Sequence, residues 1–293
     1  MFLLLLVSIF GAFSSNAYHV AQAKMPFYDL KPSFLRVRSE FYTSYGSSTD
    51  DRKSNIATAV STLNNTFVDV GGEFSFNRTI GPRTQKRGYK SAKIIVGGKF
   101  VDGVGGGVCQ VSTTLYNAVL LSGLKVTEYH AHSLPVSYVA PSFDAMVNSG
   151  SADLRFINNT HNPLIILAYA DGQTLKIKIL GEPMQEKYIR QSTITEYFDA
   201  PSEEVVFDEK GEYPDLYEGE RKTITWAKQG YLSEGVLVKT INGKEISRKR
   251  IRKDKYNAVR GVVVEGRAKR PEIESDIRGG QDNLDCDYRE IAN

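Results

Sequence analysis

The residues best placed to do chemistry sit in one run, Gly103-Val104-Gly105-Gly106-Gly107-Val108-Cys109-Gln110. Consecutive glycines let a backbone turn tightly and come close to a ligand. A strongly apolar stretch with helical spacing follows, so Cys109 falls at a helix start. There, unpaired backbone N–H groups and the helix dipole favour thiolate over thiol. The same N–H groups can hold an oxyanion on an attacked carbonyl, with Gly107 shaping the turn and Gln110 and Ser112 as further donors. This is the equipment of acyl transfer by a cysteine. The run lacks the Lys-Ser or Lys-Thr that would make it a phosphate loop.

Such a cysteine needs a base. Two histidines lie together in Glu128-Tyr129-His130-Ala131-His132-Ser133. If the segment is a strand, residues two apart share a face, and both imidazoles face one site. Either His130 or His132 then serves as base, the other as helper, and Asp144 or Asp153 orients the ring. Two plainer readings compete. Cys109 can be a small core residue ahead of a buried helix, or a zinc ligand with the His-X-His pair. No fourth ligand is evident nearby, so neither metal nor cofactor is expected.

The elements that must position these residues come next. The chain has 293 residues, 41% hydrophobic and 24% charged, an ordinary globular composition with room for about two domains of roughly 150 residues. The net charge of +3 excludes a polycation, and no nucleic-acid partner is expected. Phe2 to Phe13 is apolar but short of the about 20 residues that span a bilayer. Small-residue sites follow it, so residues 1–23 are expected to be a secretory signal or an N-terminal anchor, although no Lys or Arg precedes the run. That expectation makes the protein extracytoplasmic. The second cysteine, Cys286, lies in a polar tail, and no disulfide to Cys109 is expected.

Residues 24–48 read as polar and irregular. A helix capped by Asp50 is predicted, with Ile56, Ala59, Val60 and Leu63 on its buried face. Gly71-Gly72 marks a turn. Ala92–Val96 and Lys99–Val101 read as a hairpin through Gly97-Gly98. The helix after Cys109 buries Val111, Leu115, Ala118, Val119 and Ser122 and stops at Gly123. Strands are predicted at Val126–His130, Pro135–Val139, Leu154–Ile157, Leu164–Ala170 and Leu175–Leu180, the last two joined by Asp171-Gly172. A first domain thus spans 24–183. Beyond it, residues 184–266 read as a small all-β module with strands at Thr193–Phe198, Lys222–Ala227, Val236–Ile241, Lys244–Ile251 and Gly261–Val264. An acidic stretch between Glu203 and Glu220 interrupts them. Residues 267–293 read as a disordered polar tail. The fold class is α+β, a mixed helix and antiparallel-sheet domain followed by the β module. Every candidate catalytic residue precedes position 184.

Phe74-Ser75-Phe76-Asn77, Gly81, Gly88-Tyr89, Gly105 through Ala118, His132-Ser133-Leu134-Pro135-Val136-Ser137-Tyr138, Asp144-Ala145 and Asp153-Leu154-Arg155-Phe156 resemble the VanW family over most of 52–182. Tyr129, where the family is expected to carry arginine, and Ser142-Phe143, in place of a glycine-containing turn, depart from its pattern. The family's name comes from an accessory protein of vancomycin-resistance clusters. The resemblance implies a peptidoglycan-modifying protein, a cysteine L,D-transpeptidase making 3–3 cross-links. Cys109 would attack a donor stem peptide, D-alanine would leave, and His132 or His130 would move the protons. It leaves room for a cysteine peptidase or amidase of the same stems, or a non-catalytic wall-binding protein. Gly230, Gly235, Asn242-Gly243-Lys244-Glu245 and Val262-Val263-Val264-Glu265-Gly266 resemble the G-five domain, which implies wall or glycan adhesion. From Lys244 to Lys255, seven of twelve residues are Lys or Arg: a solvated edge strand, or a contact for anionic wall polymer.

Overall fold

The computed structural model describes residues 35–270, and it begins with a strand that composition concealed. β1 (Arg36–Ser44) lies in the stretch expected to be irregular. Two of its inward side chains, Ser39 and Thr43, are polar and flank half-buried Phe41, so no sustained apolar alternation announces it. They face the apolar helix and bond to it: Ser39 Oγ donates to the Ala118 carbonyl at 2.7 Å, and the Thr43 and Thr114 hydroxyls are 2.9 Å apart.

α1 (Asp50–Leu63) buries Ile56, Ala59, Val60 and Leu63, as the spacing predicts. Its cap is Thr49 rather than the expected Asp50, which with Asp51 occupies the first turn, where acids suit the dipole. β2 (Thr66–Val68), β3 (Glu73–Ser75) and α2 (Phe76–Ile80) follow. β4 (Ser91–Val96) and β5 (Lys99–Val104) form the expected hairpin, with Gly97 and Gly98 both at positive φ. α3 (Val108–Leu121) is buried at every position from Val111 to Leu120, and Gly123 ends it at φ 71°. β6 (Lys125–Glu128), β7 (Arg155–Ile157), β8 (Leu164–Ala170) and β9 (Thr174–Gly181) complete this part. An antiparallel sheet of order β1-β9-β8-β2 has α1 and α3 packed on it; a smaller sheet has order β3-β7-β6.

Two expected strands are corrected. The first ends at Glu128, before either histidine, and Pro135–Val139 is not a strand. Pro135 and Pro141 have no N–H to give a ladder. Residues 129–154 form an irregular connection, held through buried Phe143, Ala145 and Val147 in the core.

β10 (Glu186–Phe198), β13 (Gly230–Ile241) and β14 (Lys244–Tyr256) make one antiparallel sheet. The β13–β14 turn is Asn242-Gly243, both at positive φ, as a type I′ hairpin requires. β11 (Glu204–Phe207), β12 (Arg221–Thr225) and β15 (Val262–Glu265) make another sheet, ordered β11-β15-β12, with buried Val263 and Val264. β11 lies inside the acidic stretch, where no strand was expected.

The compact units do not follow chain order. One comprises 35–200 with 229–259, the other 201–228 with 260–270. β10 and the long β13–β14 hairpin therefore belong with the helical part, which differs from a boundary at 183/184. The hairpin buries Arg252 and Tyr256 against the 142–144 segment. No helix among the described residues is long and apolar enough to cross a membrane. The expected signal or anchor, and Cys286 with nearly all of the polar tail, lie outside the described residues.

Candidate functional site

The glycine turn is built from both sides. Gly105 and Gly107 take φ of 88° and 108°, and a Cβ on Gly106 would lie 2.8 Å from the Ala92 backbone carbon and the Lys93 carbonyl oxygen. No side chain fits there. Asn55 of α1 clamps the turn: its Nδ2 donates to the Lys90 and Gly106 carbonyls, each at 3.0 Å, and its Oδ1 accepts the Lys90 N–H at 2.7 Å. The Val108 N–H donates to Gly105 at 3.2 Å and the Gln110 N–H to Gly107 at 2.9 Å.

This turn presents Cys109, partly exposed, as the second residue of α3. Its Sγ donates to the Val147 carbonyl oxygen at 3.3 Å, and it lies close enough to His132 for the two to interact electrostatically. His132 is buried, and one oxygen of Asp144 accepts both its Nδ1–H and its backbone N–H, each at 2.7 Å. The double contact fixes ring and tautomer, which leaves Nε2 for the sulfur. The other Asp144 oxygen accepts the Tyr256 hydroxyl at 2.6 Å and an Arg252 N–H at 3.3 Å, and Arg252 also donates to the Asp144 carbonyl.

The electrostatics follow from these contacts. Burial pushes the Cys109 thiol up, but the hydrogen bond and charge of His132, with the charge of Arg83, outweigh it and hold the thiol below its ordinary range. Burial pulls His132 down, yet its bonds to Asp144 and Cys109 push it up to about 9. Burial also raises Asp144, and the His132 hydrogen bond and Arg252 charge more than offset that, so it stays ionised. The arrangement sets a cysteine of lowered pKa beside a histidine of raised pKa, braced by a buried carboxylate, and both shifts run in the direction that favours an attacking thiolate.

The other expected site residues have other partners or structural roles. His130 pairs with Glu128 at 2.9 Å, so with the strand ended the two imidazoles have separate partners. Asp153 accepts from Ser75 Oγ at 2.6 Å and the Asn77 N–H at 2.8 Å, and does not reach His132. The Gln110 amide donates to Thr43 Oγ1 and the Ser44 carbonyl, both at 2.9 Å; the Ser112 hydroxyl donates to the Ala145 carbonyl at 2.6 Å. Both side chains brace α3. Gly107 caps that helix.

Sequence reasoning missed Arg252 and Tyr256, which lie past position 184 yet bind Asp144. Their available signal was period two: 252, 254 and 256 share one face of β14, and 252 and 256 are buried in an otherwise exposed strand. Both departures from the family pattern sit where this hairpin lands. The Arg252 guanidinium lies 4.7 Å from the Tyr129 ring centre, and the Tyr129 hydroxyl donates to the Ile251 carbonyl at 3.2 Å. Ser142, at φ 61°, donates its N–H to Tyr256 Oη at 2.8 Å, and its hydroxyl meets that of Ser233 at 2.6 Å.

Residues 51–180 match the family model described as VanW like protein, and residues 199–268 match the G5 domain. The chain is 39% identical over 152 residues to the uncharacterized protein YoaR of Bacillus subtilis (strain 168), covering 52% of this chain and 50% of that one. It is 27% identical over 143 residues to the vancomycin B-type resistance protein VanW of Enterococcus faecalis (strain ATCC 700802 / V583), covering 47% and 50%. It thus spans about half the length of these curated relatives. Among solved structures, the IgA1 protease G5 domain matches at 24% identity over 29% of this chain and 92% of that chain, with a TM-score of 0.19. The assignment of the G5 domain rests on the family model.

Proposed function

We propose that this chain, whose residues 51–180 match the VanW-like family model and residues 199–268 the G5 domain, is an extracytoplasmic, cell-wall-associated cysteine acyltransferase, an L,D-transpeptidase acting on peptidoglycan stem peptides. The observation that carries the reading is His132 held between Cys109 and Asp144. The Cys109 thiolate adds to the carbonyl of the third stem residue. The resulting oxyanion is met by backbone N–H groups of the glycine turn, that of Cys109 foremost, since the Gln110 and Ser112 side chains are engaged. The C–N bond to D-alanine breaks as His132 gives its proton to the leaving amine, and a thioester remains on Cys109. An acceptor amine then attacks the thioester, His132 takes its proton, and the thiolate departs, leaving a 3–3 cross-link. The exposed basic face of β14 supports contact with anionic wall polymer through Lys244–Lys255.

The test is incubation of the purified chain with a tetrapeptide-stem disaccharide and mass analysis of the Cys109 peptide. The reading expects an acyl adduct with loss of D-alanine, absent in Cys109→Ala, and cross-linked dimers on adding acceptor. An adduct that yields only hydrolysed stems would make the protein a peptidase. No adduct would make it a wall-binding accessory protein.

A further inference from the structure

Two arginines lie against the glycine turn without a counter-ion. A Cβ on Gly107 would come within 3.0 Å of Arg52 Cγ, and one on Gly105 within 3.1 Å of Arg83 Cβ, so both side chains pack where the turn has none. Their guanidinium groups bond only to neutral acceptors: Arg52 to Gln110 Oε1 at 2.8 Å and Ser48 Oγ at 2.7 Å, Arg83 to Asn77 Oδ1 at 2.6 Å and Ser149 Oγ at 3.3 Å. Among the described residues neither forms an ion pair. Asp153 acts on Arg83 only from beyond contact, and its oxygens are already engaged by Ser75, Asn77, Leu154 and Arg155.

This differs from how the chain treats Arg252 and Arg38. Arg252 is paired with Asp144 and Asp254, and Arg38 with Glu182. Arg190 has a neutral acceptor, Asn117, and the rings of Phe41 and Phe143, and Arg83 likewise lies over the Phe76 ring at 5.9 Å. Withdrawing a cation from water without an anion is unfavourable. Arg52 and Arg83 are half-buried and are felt by Cys109, whose thiolate His132 already pairs. Side-chain amides and hydroxyls orient them without neutralising them. That is the arrangement of a site whose missing partner is an anion brought by the substrate, and the planar forks suit a carboxylate.

We propose that Arg52 and Arg83 form a receptor for a carboxylate on the acyl donor, one residue beyond the attacked carbonyl. The inference rests on the acyltransferase reading and deepens it. The donor would be a stem ending in a free D-amino acid, and an extended or amidated stem would be a poor donor.

The test needs no transfer activity, so its failure is distinguishable from failure of that reading. Cys109 in the full chain is alkylated with iodoacetate and with iodoacetamide, and the Cys109 peptide is quantified by mass spectrometry. The rate ratio removes any effect of thiolate fraction. The proposal expects a ratio at least tenfold above that of the same chain unfolded. The ratio falls toward the unfolded value in Arg52→Gln and Arg83→Gln and is largely kept in Arg52→Lys. Equal ratios in folded and unfolded wild type would overturn it, as would Gln variants whose ratio does not move. A second measurement uses wild type alone. N-acetyl-D-alanine should slow iodoacetamide at Cys109 and N-acetyl-D-alaninamide should not; equal protection, or none from either, would also overturn it.

Discussion

Replacing Arg252 by methionine should both destabilise the fold and slow Cys109, although position 252 lies far along the chain from that cysteine. Arg252 and Asp144 have side-chain exposures of 0% and 1%. The guanidinium binds the Asp144 carboxylate at 3.3 Å and the Asp254 carboxylate at 2.9 Å. Methionine keeps much of the bulk and removes the charge, leaving two carboxylates without their cation. Breaking a buried pair on one side is destabilising by about 3–5 kcal/mol. Asp144 keeps His132 and Tyr256, which argues for the lower end of that range. The electrostatic consequence has a definite sign. Without Arg252 the Asp144 pKa rises, Asp144 holds the His132 imidazolium less firmly, and His132 falls from about 9. Cys109 then loses stabilisation of its thiolate, and the midpoint of its alkylation rate moves to higher pH. Each unit of that movement is about 1.4 kcal/mol and about tenfold in thiolate on the acid side. The assay is urea unfolding of the full chain by circular dichroism, with iodoacetamide rates at Cys109 against pH. Arg252→Met with Asp254→Asn should recover part of the stability, because the second orphaned charge is gone. A loss below about 1 kcal/mol, the scale of an exposed pair, together with an unmoved pH profile, would refute the reasoning.

Other expectations follow from the same geometry. His132→Ala should lower acyl transfer by roughly a hundredfold or more, the scale of a lost general base, while His130→Ala stays near wild type; comparable losses in a single-turnover adduct assay would contradict the assignment. Acyl transfer should rise with pH as Cys109 ionises and fall above about 9 as His132 loses the proton it must donate, whereas alkylation should rise and stay high, since the thiolate persists. Stability carries a matching signature: His132 is raised from 6.5 to about 9, so its contribution is fully present below about 6.5 and is lost as pH rises through about 9, which thermal melts across that window would reveal. Gly107→Ala should destabilise by about 1–3 kcal/mol from the left-handed backbone alone, with more from crowding against Arg52 and Ile56 at 3.0 Å; an unchanged melting temperature would count against the strained cap.

By itself the sequence determined the parts whose physics is local. Glycine run and apolar period fixed the turn, the helix α3 and the place of Cys109 at its start, and the Gly97-Gly98, Asp171-Gly172 and Asn242-Gly243 pairs fixed three hairpins. These depend on backbone freedom and side-chain spacing within a few residues. Tertiary structure decided the rest. β1 was hidden because Ser39 and Thr43 are the buried positions of its inward face, beside half-buried Phe41; their burial is made acceptable by the Ala118 carbonyl and the Thr114 hydroxyl on α3, far along the chain. His132 and His130 were equivalent while they were assumed to share a strand; what separates them is an irregular loop that brings Asp144 to one and leaves Glu128 to the other. Arg252 was indistinguishable from its six basic neighbours between Lys244 and Lys255. Only the packing of the hairpin on 142–144 removes that one guanidinium from water and sets it against Asp144. A carboxylate buried beside a histidine must find its compensating donors somewhere, and where they come from is fixed by contacts across more than a hundred positions, which no local pattern encodes.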